Sequence, residues 1–458
     1  MSVLAALLAA SAPPSADDWD GLGFLASIDR FDMDRFSPHP PGYPVYVAAL
    51  DMAHAVTRNP LTAAYGVAIV SAVMTAALAF ATAKRLWGPR AGWAVAYAVV
   101  ATPLAWRTMS AVGTEALALA FAALAIWALV AMRNDHPRAV LALGAAVGLG
   151  LGVRLSWAPL FVSMLFVAAR GKRVRAALVS ACAVAVWAVP LVAIVGASHL
   201  NRLFGAHAQG HASRWGGTAI TEPGVGRLTY LARDVFVDGL GADSDAPGVA
   251  LGALAAALTI AGVALWSRAS WRGGRSVLIV LLPYVAWIAV GQNLRQQPRH
   301  ALPVVVALAV GLAVTASRTP RLRVLGSTLA LFVATRTALD AAQRRAIPPP
   351  GAQLVAFATQ LPDARTVAVF AGPSARFFET TTFRNRAAST PSLDDARLAL
   401  TRLNEYPRRV LVTDELEGID GAHLPLVATF CRPARLDRRM PCLRVFEWSL
   451  TPLAPGPR

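Results

Sequence analysis

Apolar stretches recur along most of this chain, and the loops between them alternate in character. A helix that crosses a bilayer needs about 20 mostly apolar residues. Stretches approaching that length fall at 63–83, 91–106, 112–132, 139–153, 156–169, 176–197, 248–267, 276–291, 301–317 and 324–339. The run from Val3 to Ala12 is too short to span by itself. Ala10-Ser11-Ala12 has the small residues of a signal cleavage site, but no Lys or Arg precedes it, so a shortened first helix is preferred. With that helix included, the pattern predicts about eleven spans.

The tail breaks this rhythm. Pro348-Pro349-Pro350-Gly351 ends the last long helix. Beyond it, short β-rich runs at 366–370, 410–413, 427–430 and 443–446 alternate with helical stretches near 374–378 and 393–404. That alternation predicts a small α/β domain. The expected fold class is a polytopic α-helical membrane protein followed by this domain. Residues 1–340 form the membrane part, with outer loops at 13–60 and 198–247, and residues 341–458 form the tail.

Composition agrees with the pattern. Of 458 residues, 56% are hydrophobic and 15% charged, too apolar for a water-soluble enzyme. The net charge of +17 sits in clusters between spans rather than along one exposed face, which argues against nucleic acid as a partner. One set of alternating loops holds Lys84, Arg85 and Arg90; Arg133 and Arg138; Arg170, Lys172, Arg173 and Arg175; Arg268, Arg272 and Arg275; and Arg318, Arg321 and Arg323. Basic loops stay cytoplasmic. The N-terminus is then inside, and the first loop, 198–247, 292–300 and everything after about residue 340 face outward. Three cysteines exclude a zinc cluster or a multi-disulfide framework, although Cys431 and Cys442 flank a short run and an oxidising compartment permits their pairing.

Against this basic background Asp17, Asp18, Asp20, Asp29, Asp32 and Asp34 gather in the first outer loop. The His39-Pro40-Pro41-Gly42-Tyr43-Pro44 turn follows. Tyr43, Tyr46, Val47 and Leu50 then recur at helical spacing, with Asp51, His54 and Arg58 on another face, as in a helix lying in the membrane interface.

Five motifs in order carry a resemblance: Trp19-Asp20-Gly21-Leu22-Gly23-Phe24, Pro38-His39-Pro40-Pro41-Gly42-Tyr43-Pro44-Val45-Tyr46, Thr114-Glu115, Gly148-Leu149-Gly150-Leu151-Gly152-Val153-Arg154 and Gln297-Pro298-Arg299-His300-Ala301-Leu302-Pro303. Over roughly 15–340 the chain resembles GT-C superfamily glycosyltransferases, closest in kind to bacterial protein O-mannosyltransferases and aminoarabinose transferases. His300 stands where such proteins usually have Tyr. The tail matches only in position and general character.

The resemblance implies transfer of a sugar, hexosyl or pentosyl, from a polyprenyl-phosphate donor to a lipid, glycan or protein acceptor. It implies inversion at the anomeric carbon, at the outer face of a bacterial inner membrane. The family's carboxylate position falls on Asp20, which would accept the acceptor's proton, and a second acid falls on Glu115, suited to orienting hydroxyls. Asp17, Asp18 and His39 are expected near substrate; Arg154, Arg299 and His300 would hold the leaving phosphate. His211 and Trp215 lie on an outer loop able to close over the donor. No cofactor is implied, and His199, His207 and His211 lack the carboxylate spacing of a metal site.

Two other classes compete. A flippase or transporter of lipid-linked sugar tends to have paired halves and helices broken near the midplane, whereas here polar residues collect at one face. A catalytically inactive assembly subunit would lack the Asp20 and Glu115 pair.

Overall fold

The computed structural model describes residues 1–448 except 134, 215, 216, 225, 242–270, 318, 319, 380, 382, 402–406 and 421. The expected span at 248–267 and the site candidate Trp215 therefore lie outside the described residues. Two compact units form: Met1–Ala12 with Ser27–Gln343, and Pro13–Ala26 with Arg344–Arg458. Residues 13–26, part of the first loop by sequence, thus group with the tail.

Helices of the chain up to residue 346, of which α2 begins in the second unit, start where proline or a capping side chain dictates. α1 is Ser2–Ser11, α2 Trp19–Asp29, α3 Pro44–Thr57, α4 Pro60–Trp87, α5 Pro89–Ala101 and α6 Pro103–Met109. Proline opens four of these, at the position where its missing N–H costs nothing. Asn59 caps α4 through the Thr62 N–H at 2.9 Å. α7 Glu115–Met132, α8 Ala139–Val153, α9 Ala158–Val167, α10 Arg170–Val195, α11 Ala197–Gln209 and α12 Gly226–Arg233 follow. α13 is Trp271–Gly291, α14 Leu302–Ala316 and α15 Pro320–Ala346.

Among the described residues, five helical stretches are long and apolar enough to cross a membrane: Pro60–Trp87, Glu115–Met132, Arg170–Val195, Pro298–Ala316 and Pro320–Gln360. α1, α8, Leu155–Val167 and Ile279–Gly291 are shorter apolar helices. The chain is a multi-pass membrane protein. α1 packs on α4 with Leu8 buried. α3 buries Tyr46, Val47 and Leu50 while Asp51 and Arg58 stay exposed, which divides its faces as the spacing predicts.

The glycines of α8 have a packing role. A Cβ at Gly144 would lie 2.6 Å from the Ala176 carbonyl, and one at Gly148 2.5 Å from that of Ser180, both on α10. Small residues four apart let two membrane helices approach closely. Trp187 on α10 then donates its indole N–H to the Gly148 carbonyl at 2.9 Å.

The second unit holds a five-stranded sheet in the order β2-β1-β3-β5-β4. Its strands are β1 Val367–Ala371, β2 Ala387–Ser389, β3 Arg409–Thr413, β4 Leu426–Cys431 and β5 Cys442–Trp448. β2, β1 and β3 are parallel; β3, β5 and β4 antiparallel. Side chains alternate between the two faces. Val367, Val369 and Leu411 meet Leu354 and Ala358 of α16 (Pro350–Gln360), while Ala368, Phe370, Val410 and Val412 meet Ala396 and Leu400 of α17 (Leu393–Leu400). Four strands lie where the sequence places them. β2, three residues long, has too short a pattern to be seen. Cys431 and Cys442 form a disulfide across β4 and β5.

Candidate active site

Two antiparallel helices bring the second acid to its partner. Glu115 is the first residue of α7, and Arg154 follows the last residue of α8, so both stand at the same end of the packed α7–α8 pair. Arg154 leaves the helix in extended conformation, φ −152° and ψ 92°. Its Nη1 lies 2.8 Å from Glu115 Oε1 and donates to the Thr114 hydroxyl at 2.7 Å. Arg299, just ahead of α14, places Nε 3.4 Å from the same carboxylate oxygen. The Glu115 and Arg154 side chains are 4% and 7% exposed, while Arg299 is more open at 18%.

Arg154 therefore points into the bundle and does not snorkel to headgroups. Each charge also suits its helix end, the acid at an N-terminus and the base at a C-terminus. Two guanidiniums around one carboxylate leave the cluster with one net positive charge in a largely dry place. Such a cluster is disposed to hold an anion. Glu115 is engaged by both arginines.

His300 is buried, and its carbonyl accepts from the Tyr284 hydroxyl at 2.8 Å. Tyr284, fully buried on α13, meets Trp157 edge-on with ring centres 6.1 Å apart. Sequence reasoning missed Tyr284, which belongs to a run that reads as span, and named Thr114 only as part of a motif. Arg295, one turn before Arg299 by sequence, pairs instead with Glu222 at 3.4 Å.

A second group forms around the proline turn. The Tyr43 hydroxyl and His39 Nε2 are 2.7 Å apart, the His39 and His207 ring centres 6.1 Å, and those of His207 and His211 4.8 Å. His39 and His211 are thus joined through His207. His199 pairs elsewhere, with Asp34 at 2.8 Å. Among the described residues no group of three His, Cys, Asp or Glu side chains is arranged to hold a metal ion. The loop after His211 is stapled by Arg227, which donates to the carbonyls of Gly217, Ala289 and Gln292 at 2.6, 2.7 and 2.8 Å. A further buried polar pair, Arg107 and Asp238 at 3.8 Å, gave no sequence signal.

In the second unit, Asp20 sits in the first turn of α2. Asp18, expected near substrate, accepts the Gly21 N–H at 2.8 Å and so caps that helix. Asp17, also expected there, is held by Arg344 Nε at 2.7 Å and by Arg432 Nη1 at 3.1 Å. Burial opposes its ionisation, but the Arg344 and Arg432 guanidiniums outweigh it and hold the carboxyl below the usual range.

A groove of about 590 Å³ lined by Arg90, Trp93, Tyr97 and Arg323, among others, includes neither Glu115 nor Arg154 nor Arg299.

A family model described as dolichyl-phosphate-mannose-protein mannosyltransferase matches residues 38–198, a stretch that holds His39, Glu115 and Arg154. The crystal structure of ArnT from Cupriavidus metallidurans in the apo state is similar, with a TM-score of 0.61 at 13% identity over 95% of this chain and 94% of that one. The chain shares its fold with ArnT. A second crystal structure of ArnT, bound to undecaprenyl phosphate, is similar with a TM-score of 0.59, at 14% identity over 100% of this chain and 99% of that one. No curated protein sequence matches this chain.

Proposed function

We propose that this chain is a GT-C glycosyltransferase that moves a sugar from a polyprenyl-phosphate donor to an acceptor hydroxyl or amine, with inversion. The observation that carries this reading is the buried Glu115–Arg154–Arg299 cluster with its net positive charge. The ArnT structure bound to undecaprenyl phosphate supports the same class of donor.

In the reaction the acceptor atom forms a bond to the anomeric carbon as the bond from that carbon to the phosphate oxygen breaks. The electron pair leaves with the polyprenyl phosphate, and a single displacement inverts the centre. Arg299, the more open guanidinium, meets the growing phosphate charge, with Arg154 and His300 behind it. Asp20 is the carboxylate assigned the acceptor's proton. His39 and His211, linked through His207, bind sugar or acceptor, as does Trp215. Glu115 positions the two arginines.

The basic loops support a cytoplasmic N-terminus and a tail unit on the outer side of a bacterial inner membrane. The Cys431–Cys442 disulfide suits that oxidising side. The deciding experiment incubates purified protein with polyprenyl-phosphate sugars and follows release of polyprenyl phosphate. Release that requires an acceptor supports transfer. Movement of intact donor across vesicles, with none cleaved, would point to the transporter class.

A further inference from the structure

The second unit contains more than a sheet. Between β4 and β5 the chain runs Arg432-Pro433-Ala434-Arg435-Leu436-Asp437-Arg438-Arg439-Met440-Pro441, and the Cys431–Cys442 disulfide closes this loop at its base. Asp437 shapes its far end by accepting the N–H groups of Arg439 and Met440 at 3.2 and 2.9 Å. Two of its arginines reach the N-terminal segment of the same unit. Arg432 holds Asp17, and the Arg439 guanidinium stacks over the Trp19 ring, 3.9 Å from its centre. Arg432 also donates to the Arg344 carbonyl at 3.0 Å, tying its side chain to the backbone of the other residue that grips Asp17. The Arg344 and Arg432 side chains are 3% and 0% exposed. Asp17, Asp18 and Trp19, the three residues before Asp20, are therefore fixed by an ion-pair clamp, a helix cap and a cation–π stack.

We infer that the disulfide-closed loop 432–441 is a positioning device for the proposed proton acceptor: Arg432, through Asp17, and Arg439, through Trp19, set the orientation of Asp20. The inference rests on the role of Asp20 proposed above. Its logic is that of any preorganised base. A carboxylate on a segment free to swing would reach its substrate only part of the time, and misplacement by about 1 Å can cost 10²-fold. Two of the loop's four arginines, Arg432 and Arg439, are used on the N-terminal segment.

The test compares full-length Asp17→Asn, Arg432→Lys, Cys431→Ser/Cys442→Ser and Asp20→Asn proteins in one lipid environment, using an undecaprenyl-phosphate sugar as donor. Three quantities are read: kcat, the stoichiometry of undecaprenyl phosphate bound per chain, and the pH profile of kcat. Expected are a kcat lowered about 10- to 100-fold in Asp17→Asn and in the double serine protein, with stoichiometry unchanged, and partial rescue by Arg432→Lys. In Asp17→Asn the acidic limb of the profile moves to lower pH, because the two guanidiniums that hold residue 17, three positions before Asp20, lose their counter-ion. Wild-type kcat in Asp17→Asn and in the double serine protein overturns the inference. So does a fall in kcat matched by an equal fall in stoichiometry, which marks unfolding rather than misplacement. Full activity in Asp20→Asn instead removes the proton acceptor itself, and is recognised separately because that variant leaves the clamp intact.

Discussion

Glu115 Oε1 lies 2.8 Å from Arg154 Nη1 although the residues belong to different helices and are almost fully buried. The pair gains from low dielectric only while it stays intact, since removing one partner strands the other charge. Glu115→Ala should therefore destabilise the protein by about 3–5 kcal/mol. Glu115→Gln/Arg154→Met should recover most of that loss in thermal stability yet remain poorly active. Recovery of activity together with stability would mean that the cluster is structural only.

Gly113 offers a gentler perturbation of the same carboxylate. A Cβ there would lie 2.6 Å from Glu115 Oε2. Gly113→Ala should push the carboxylate off its arginines and lower donor affinity, whereas Gly66→Ala, with open space at its Cβ, should be silent. Titration of undecaprenyl phosphate against the two variants checks this.

Helix packing at α8 makes a third prediction. Gly148→Leu would drive a side chain against the Ser180 carbonyl and the Ala183 side chain of α10. Loss of thermal stability by several kcal/mol is expected, in line with overpacking of a tight interface. Gly171→Leu, with nothing near its Cβ, is the matched control.

The sequence revealed the membrane character, four of five strands and the charge cluster's members, because each rests on a long period or a motif. What it left hidden depends on distance in three dimensions. Tyr284 sits in an apolar run and becomes a polar partner only when its hydroxyl meets the His300 carbonyl. Asp17 reads as a loop acid until Arg432, 415 residues away, arrives at its carboxylate. Asp18 is legible in hindsight as a helix cap, because an Asp ahead of an apolar helix is a common start signal.

Acid should weaken the tail unit through Asp17. Its carboxyl titrates below the usual value in the folded protein, so its stabilising effect is complete above the unfolded value near pH 4 and is lost as pH falls through the folded value. Asp17→Asn should then differ most from wild type at neutral pH and converge with it in acid. Glu415 has the opposite sign. Burial pushes its carboxyl up against the pull of the Ser374 and Thr413 hydrogen bonds, so Glu415→Gln should be neutral or stabilising at pH 7. Thermal melts from pH 3 to 8 read both effects.

The most direct measurement is acceptor-dependent transfer from a polyprenyl-phosphate sugar by purified protein, wild type beside Asp20→Asn and Arg299→Ala, with Asp29→Asn as control. Asp20→Asn should lower transfer by roughly 10²- to 10⁴-fold with donor binding retained, as for a lost general base. Arg299→Ala should weaken both donor binding and turnover, and Asp29→Asn, at an exposed residue, should change neither. Transfer that persists after Asp17, Asp18, Asp20 and Glu115 are all neutralised, in a protein that still folds, would contradict the account.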